Sequence, residues 1–294
     1  MTLVVARQFG DRIIVLSDTM ISDPDACGSS VIPGRLKSVI VSNEMAISYA
    51  GLTNQAIDII RDARSSFLNK KDLSEIITIL VTGTQRYRGL VDFIVATHMP
   101  TPALHKVADG QVSSGSDFYW IGDSKASSRL YRIMNDSPKW QGGDPGTAAE
   151  MDLTRAFIDL VCEHATPEVG GFCFNCLGSP LGYRYQNHAG DFSWYPIQLG
   201  VPYDEEARRA YERTGTASYS YSLTSATERG LAVTGAFLPQ ADLGYLYSPL
   251  DLDDPTKLYP VTLQELSLAV NRHAARLAEK QKGGQAPFRE IVKG

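Results

Sequence analysis

Residues 2–19, TLVVARQFGDRIIVLSDT, constrain the fold more than any other stretch of this chain. Two apolar runs flank Phe9-Gly10-Asp11, and the second, at 13–16, is an unbroken Ile-Ile-Val-Leu. Short aliphatic and β-branched runs on either side of a Gly-Asp turn predict two strands, at 2–8 and 12–17. A polar residue stands at each outer end: Thr2 before the first run and Asp18 directly after the second.

The same alternation returns downstream. Lys37 opens a second strand pair, KSVIVSN then EMAISYAG, with a turn predicted at Asn43-Glu44 and Gly51 at its end. Leu52, Ala56, Ile59, Ile60, Ala63 and Phe67 recur at helical spacing, so a helix follows that glycine. A second helix is predicted over 73–87 and a strand over 91–97. A hairpin around Asp109-Gly110 leads to a strand at 118–121. Thr147-Ala148-Ala149-Glu150 has the form of a capping box, which places a helix at 148–164, and 171–177 returns as a strand. Strands, two helices, strands, two helices and more strands suit two sheets packed face to face between helix layers.

Residues 200–294 read as an extension: a polar helix at 204–213, a Tyr/Ser/Thr-rich stretch at 214–227, and strands at 230–237 and 242–247. A Pro-rich segment at 249–260 follows. Thr262-Leu263-Gln264-Glu265 then caps a helix with Leu263, Leu266, Val270 and Leu277 on one face. No motif assigns this extension a role.

A net charge of −5, with no basic block, argues against nucleic acid as a partner, because phosphate binding needs clustered Lys and Arg. No apolar run approaches the ~20 residues that span a bilayer, and the N-terminus lacks a signal peptide's basic-then-apolar layout. A cytoplasmic protein with no membrane contact is expected. The four cysteines fit a reducing compartment. Cys173-Phe174-Asn175-Cys176 has metal-like spacing but no second pair. On a strand, residues three apart face opposite sides, so buried thiols are expected there rather than a metal site. His164 lies on the apolar stripe of Leu153, Phe157, Leu160 and Val161 and reads as a packed helix residue. Neither metal nor cofactor is expected.

Thr2 carries the strongest chemical signal. Initiator methionine is trimmed when a small residue follows, and trimming here leaves an α-amine and a β-hydroxyl on one residue. A terminal amine with a pKa of about 8 is a base within reach of that hydroxyl. One residue then supplies both nucleophile and proton acceptor.

Thr2, Asp18, Lys37 and Ala50-Gly51, in that order around two hairpins and a helix, resemble the proteasome β-subunit family of N-terminal nucleophile hydrolases, including its bacterial peptidases. The spacing from Thr2 to Asp18 fits without a gap. One insertion between Met20 and Arg35 brings both Lys37 and Gly51 into line. Trp120-Ile121-Gly122-Asp123-Ser124-Lys125 is similar to the family's Gly-Ser-Gly-like turn, closest to the bacterial proteasome-homologue branch. Residues 166–169, Thr-Pro-Glu-Val, depart from the family's later Asp and Ser.

The resemblance implies an α+β fold, a four-layer αββα sandwich over 1–199 with a C-terminal α/β extension over 200–294. It also implies a threonine peptidase in which Thr2 Oγ attacks a peptide carbonyl, Lys37 sits beside the hydroxyl, Asp18 pairs with Lys37, and the Gly51 N–H receives the oxyanion. Asp123 and Ser124 help hold the terminal amine. By the same register Arg35 and Tyr49 face the pocket for the residue before the cut, where a guanidinium favours acidic side chains. The partners implied are a peptide or unfolded protein substrate, further copies of the chain in a ring, and an ATPase or other unfoldase. Taken singly, Asp18 can close a turn, Lys37 can be a solvated strand residue and Gly51 a helix-entry glycine. As an ordered set behind Thr2, the functional reading is favoured. Two alternatives remain: an inactive scaffold or binding subunit that retains Met1, and a small-amide hydrolase.

Overall fold

The computed structural model describes residues 2–23, 28–30, 33–68, 72–98, 100–162, 169–194, 213 and 217–282. Met1, His164, residues 166–168 and all but the last residue of the helix expected at 204–213 lie outside these. The first hairpin forms as the apolar runs predict, from β1 (Leu3–Phe9) and β2 (Arg12–Ser17), with Val4 opposite Ser17 and Phe9 opposite Arg12. β10 (Phe118–Gly122) flanks β1, and β11 (Phe174–Ser179) followed by β12 (Gly182–Tyr185) flanks β2. A second antiparallel sheet runs in order β5 (Ser38–Ser42), β6 (Met45–Gly51), β7 (Val91–Thr97), β8 (Ala103–Ala108), β9 (Gln111–Ser114). A short ladder of β3 (Ile21–Asp23) and β4 (Gly28–Ser30) lies between them in the chain.

The unbroken apolar run in β2 is explained by burial on both faces. Ile13 and Val15 point into a central cluster, whereas Ile14 and Leu16 point toward the helices α3 (Ser124–Asp136) and α4 (Pro145–Cys162). β1 divides in the same way, with Val4 and Ala6 inward and Leu3 and Val5 toward those helices. In the second sheet Ile40, Ala46 and Ile94 face the central cluster. Val39, Ile47 and Phe93 pack under α1 (Thr53–Leu68) and α2 (Leu73–Arg86). Each fully buried aliphatic side chain of this kind contributes about 1.5–3 kcal/mol. Cys173, just ahead of β11, and Cys176 within it are both buried and fall in different clusters.

The expected four-layer αββα sandwich is not what the chain builds. Among the described residues there are three five-stranded antiparallel sheets and five α-helices, an α+β arrangement in which the third sheet is a full partner. That sheet runs β13 (Ala189–Trp194), β14 (Ala217–Glu228), β15 (Leu231–Leu238), β16 (Leu243–Tyr247), β17 (Thr256–Leu258). β13 precedes the boundary expected at 199 and pairs with β14 beyond it, Gly190 opposite Tyr221. Tyr219, Tyr221, Tyr245 and Tyr247 join Val4, Ala6 and Ile94 in the central cluster, and α5 (Leu263–Lys282) covers the other face through Leu266, Val270 and Ala274. The cause is a tyrosine-rich strand whose alternate residues are large enough to reach the common core.

Two helix starts test the capping logic. The box at Thr262 and Glu265 forms in both directions: the Glu265 N–H donates to Thr262 Oγ1 at 3.2 Å, and Thr262 N–H to Glu265 Oε2 at 2.8 Å. Leu263 is exposed, and Ala274 takes a place on the buried face instead. At α4 the expected box does not form. The helix begins three residues earlier, because Asp144 caps it, accepting from Gly146 N–H at 2.9 Å and Thr147 N–H at 3.1 Å ahead of Pro145 in the first turn. Glu150 is thereby freed to pair with Arg12 at 3.0 Å. No helix among the described residues is long and apolar enough to cross a membrane.

If the third sheet shares the common core, Tyr221→Ala should destabilise the whole chain by about 3–5 kcal/mol in one urea transition. A separate early transition, with the remainder unaffected, would assign the third sheet to an independent unit.

Candidate active site

The register of the first hairpin brings its two polar ends together. With Val4 opposite Ser17, the chain ends beyond the ladder place Thr2 and Leu3 against Asp18. Lys37 reaches the same point from the residue before β5, its carbonyl accepting the Tyr49 N–H at 2.9 Å. Thr2, Asp18 and Lys37 are 3%, 0% and 2% exposed. Lys37 Nζ and Asp18 Oδ1 form an ion pair at 3.0 Å. The Thr2 hydroxyl donates to Asp18 Oδ1 and accepts from Lys37 Nζ, and Nζ also donates to the Met20 carbonyl. All three ammonium donors are therefore used.

Asp18 is held as fully. Besides Thr2 and Lys37, it accepts from the Leu3 N–H at 3.2 Å and from the Gly170 N–H at 3.2 Å. Residues 170–172 grip the following turn as well: the Gly170 carbonyl accepts from Thr19 and Met20 N–H at 3.3 and 3.0 Å, and Thr19 Oγ1 accepts from Phe172 N–H at 2.9 Å. The segment that departs from the family pattern at 166–169 is thus followed by a backbone clamp, which side-chain matching does not reveal. The Gly170-Gly171 pair was the visible signal.

Gly122-Asp123 fixes the other side of Thr2. The Asp123 N–H donates to the Thr2 carbonyl at 2.7 Å, while the Asp123 carboxylate caps α3 by accepting from Ala126 N–H at 2.6 Å. Gly122 has φ of 98°, and a Cβ there would lie 1.9 Å from the Thr2 oxygen, so only glycine allows this approach. Ser124 is the first residue of α3, and no described contact joins its side chain to Thr2. Gly51 ends β6 at φ of 100°, with a Cβ position 1.9 Å from the Leu90 carbonyl, so local backbone geometry by itself demands glycine here. Gly51 takes no part in the hydrogen bonds that join Thr2, Asp18 and Lys37.

Arg35 and Tyr49 line one recess together. Tyr49 is buried, which pushes its phenol pKa well above the usual value, with Arg35 acting the other way. Among the described residues no group of three or more His, Cys, Asp or Glu side chains is placed to hold a metal ion.

Chemically, the cluster places a hydroxyl between a carboxylate and an amine. Burial lowers the Lys37 pKa below 10.5, opposed by the charge and hydrogen bond of Asp18. The sequence matches no protein-family model and no curated protein, so the family resemblance rests on the quoted residues alone.

The lowered pKa has a thermodynamic consequence. The unfolded chain holds the Lys37 proton more tightly than the folded chain, so between the folded pKa and 10.5 unfolding takes up a proton and the stability contribution at this position rises with pH. The unfolding free energy of the wild type should therefore rise relative to Lys37→Met as the pH increases toward 10.5. A constant or falling difference in urea melts would contradict it.

Proposed function

We propose that this chain is a threonine-type peptidase that uses Thr2 as its nucleophile once Met1 has been removed. The observation that carries this reading is the direct contact of the Thr2 hydroxyl with both Asp18 and Lys37 inside a buried cluster. Thr2 Oγ forms a bond to the substrate carbonyl carbon as its proton passes to its own α-amine, directly or through water, with the Lys37 ammonium beside the oxygen. That proton then goes to the departing amide nitrogen, and water releases the acyl group. Asp18 keeps Nζ in place. The Gly51 N–H is proposed as the oxyanion donor from its position in the family pattern, a contact worth about 2.7–4 kcal/mol in other hydrolases. The resemblance further suggests self-assembly, which encloses such sites, and an unfoldase that feeds them.

Burial of Thr2 favours a second reading, a non-catalytic subunit in which this hydroxyl is a structural member of the ion-pair cluster. A small-amide hydrolase is the enzyme alternative.

Chain made in cells should begin at Thr2 by N-terminal sequencing. Thr2→Ala should cut peptide hydrolysis by at least about 1,000-fold while leaving sedimentation unchanged. Lys37→Ala should be comparably impaired, and Asp18→Asn impaired equally or less. Mostly intact Met1 supports the non-catalytic reading instead, and near-normal turnover by Thr2→Ala moves the nucleophile to another residue. Hydrolysis confined to small amides supports the third.

The assembly is tested separately. Sedimentation at micromolar concentration should show an oligomer, and a stable monomer would remove the ring from the account.

A further inference from the structure

The residues of the proposed site stand on two different sheets. Thr2 and Asp18 flank the β1–β2 hairpin of the first sheet, whereas Lys37 precedes β5, the edge strand of the second. On its paired side this segment is held by β6: the Lys37 carbonyl accepts from Tyr49 N–H at 2.9 Å, and Ser38 stands opposite Ser48. In an antiparallel ladder of that register the Ser38 carbonyl and the Ile40 N–H point away from β6, toward the open edge. Buried backbone groups there still need partners. Among the described residues no strand pairs with β5 on that side.

A side chain of the first sheet meets them instead. The Tyr185 hydroxyl, from β12, donates to the Ser38 carbonyl at 2.7 Å and accepts from the Ile40 N–H at 3.3 Å. One hydroxyl thus does for β5 what a neighbouring strand would do. Tyr185 is itself fixed. Its ring lies edge-on to Phe174, with centroids 6.4 Å apart, and its carbonyl accepts from Ser225 Oγ of β14 at 2.8 Å, which ties it to the third sheet. Burial raises its phenol pKa well above 10, so the hydroxyl keeps its proton and remains a donor. Tyr183, two residues earlier, is also buried, but its hydroxyl lies 3.4 Å from His98 Nδ1, and no described contact joins it to Ser38 or Ile40.

We infer that Tyr185 is a positioning residue: by gripping residues 38 and 40 from the open edge, its hydroxyl sets where Lys37 Nζ stands against Thr2 Oγ. Its effect on turnover rests on the proposed function; its effect on Lys37 does not. Lys37 needs such a grip. Its ammonium contacts, to Thr2, Asp18 and the Met20 carbonyl, all lie on the first hairpin and the turn after it, while its backbone belongs to the second sheet. A side chain rooted in one sheet and bonded to another keeps its geometry only if the root is held in place. A second tie between these sheets, from Tyr183 N–H to the Asn43 carbonyl at 3.1 Å, is at the far turn of β5 and β6. Tyr185 supplies the hold one residue from Lys37.

The test compares the full-length wild type with Tyr185→Phe and with Tyr183→Phe, which removes a buried hydroxyl from the same strand but away from Lys37. Tyr185→para-aminophenylalanine retains a donor and a lone pair at the critical position. Circular dichroism and urea melts establish that each variant is folded. In proton–nitrogen correlation spectra of the lysine ammonium groups, the Lys37 protons should exchange with water at least about 5-fold faster in Tyr185→Phe than in the wild type, as expected for one lost hydrogen bond. Tyr183→Phe should leave that rate unchanged. In peptide assays kcat should fall by about 10- to 100-fold in Tyr185→Phe with KM unchanged, the loss expected when a reacting group is slightly misplaced. Tyr183→Phe should leave both constants unchanged. The para-aminophenylalanine variant should fall between Tyr185→Phe and the wild type in both readouts, and it carries the comparison with the wild type where Tyr185→Phe does not fold. Unchanged Lys37 exchange, faster exchange with wild-type kcat, or equal losses in Tyr183→Phe overturns the inference and leaves the peptidase standing. Faster Lys37 exchange confined to the Tyr185 variants, with no hydrolysis by the wild type, keeps the grip on Lys37 and removes the peptidase.

Discussion

Lys37 and Asp18 form an ion pair 3.0 Å apart with both side chains almost wholly out of water. Removing two charges from water costs several kcal/mol each, and their attraction offsets that only when the remaining donors and acceptors are also satisfied. Here they are, and the satisfying groups come from separate parts of the chain: Thr2 and Leu3 at the head of β1, Met20 after β2, and Gly170 before β11. The pair therefore fixes where four segments meet. Deleting either partner would leave a buried charge and cost about 3–5 kcal/mol, so activity losses at these positions need stability measured beside them. The arrangement has a chemical result as well, since among the described residues the Thr2 hydroxyl is the group that touches both charges.

Much of this meeting point was legible in the sequence because it follows from strand geometry. The apolar runs fix the first hairpin, and its register makes Thr2 and Asp18 neighbours. Lys37 falls into place because β5 starts directly after it. What was not legible is carried by backbone groups. The Gly170 N–H and the Asp123 N–H hold Asp18 and Thr2 without any side chain that a motif can record, and only the glycines at 170 and 122 hint at them.

In the third sheet the strands expected at 230–237 and 242–247 form as β15 and β16, whereas β14 was not legible, for a different reason. Residues 217–223 alternate Tyr and Leu with Ser, a strand period, but hydroxyl-bearing residues dilute the apolar signal that strand recognition relies on. The tyrosines nevertheless reach the common core, so the described residues form three five-stranded sheets where the pattern up to residue 199 suggests two. At α4 the error was one of competing caps: an Asp-Pro start outranks a Thr-x-x-Glu box a few residues later. The placement of the third sheet also matters for the site, since it carries the turn that meets Arg35.

The central claim is that the Thr2 hydroxyl is a nucleophile made reactive by its two charged neighbours. Trapping with a peptidyl β-lactone tests this most directly, because ring opening leaves a stable acyl group on the attacking oxygen. After incubation, tandem mass spectrometry of the N-terminal peptide should locate the acyl group on Thr2 of chains beginning at that residue, with labelling strongly slowed in Lys37→Ala. An unlabelled Thr2 in chains that have lost Met1, or an acyl group on another residue, would contradict the account.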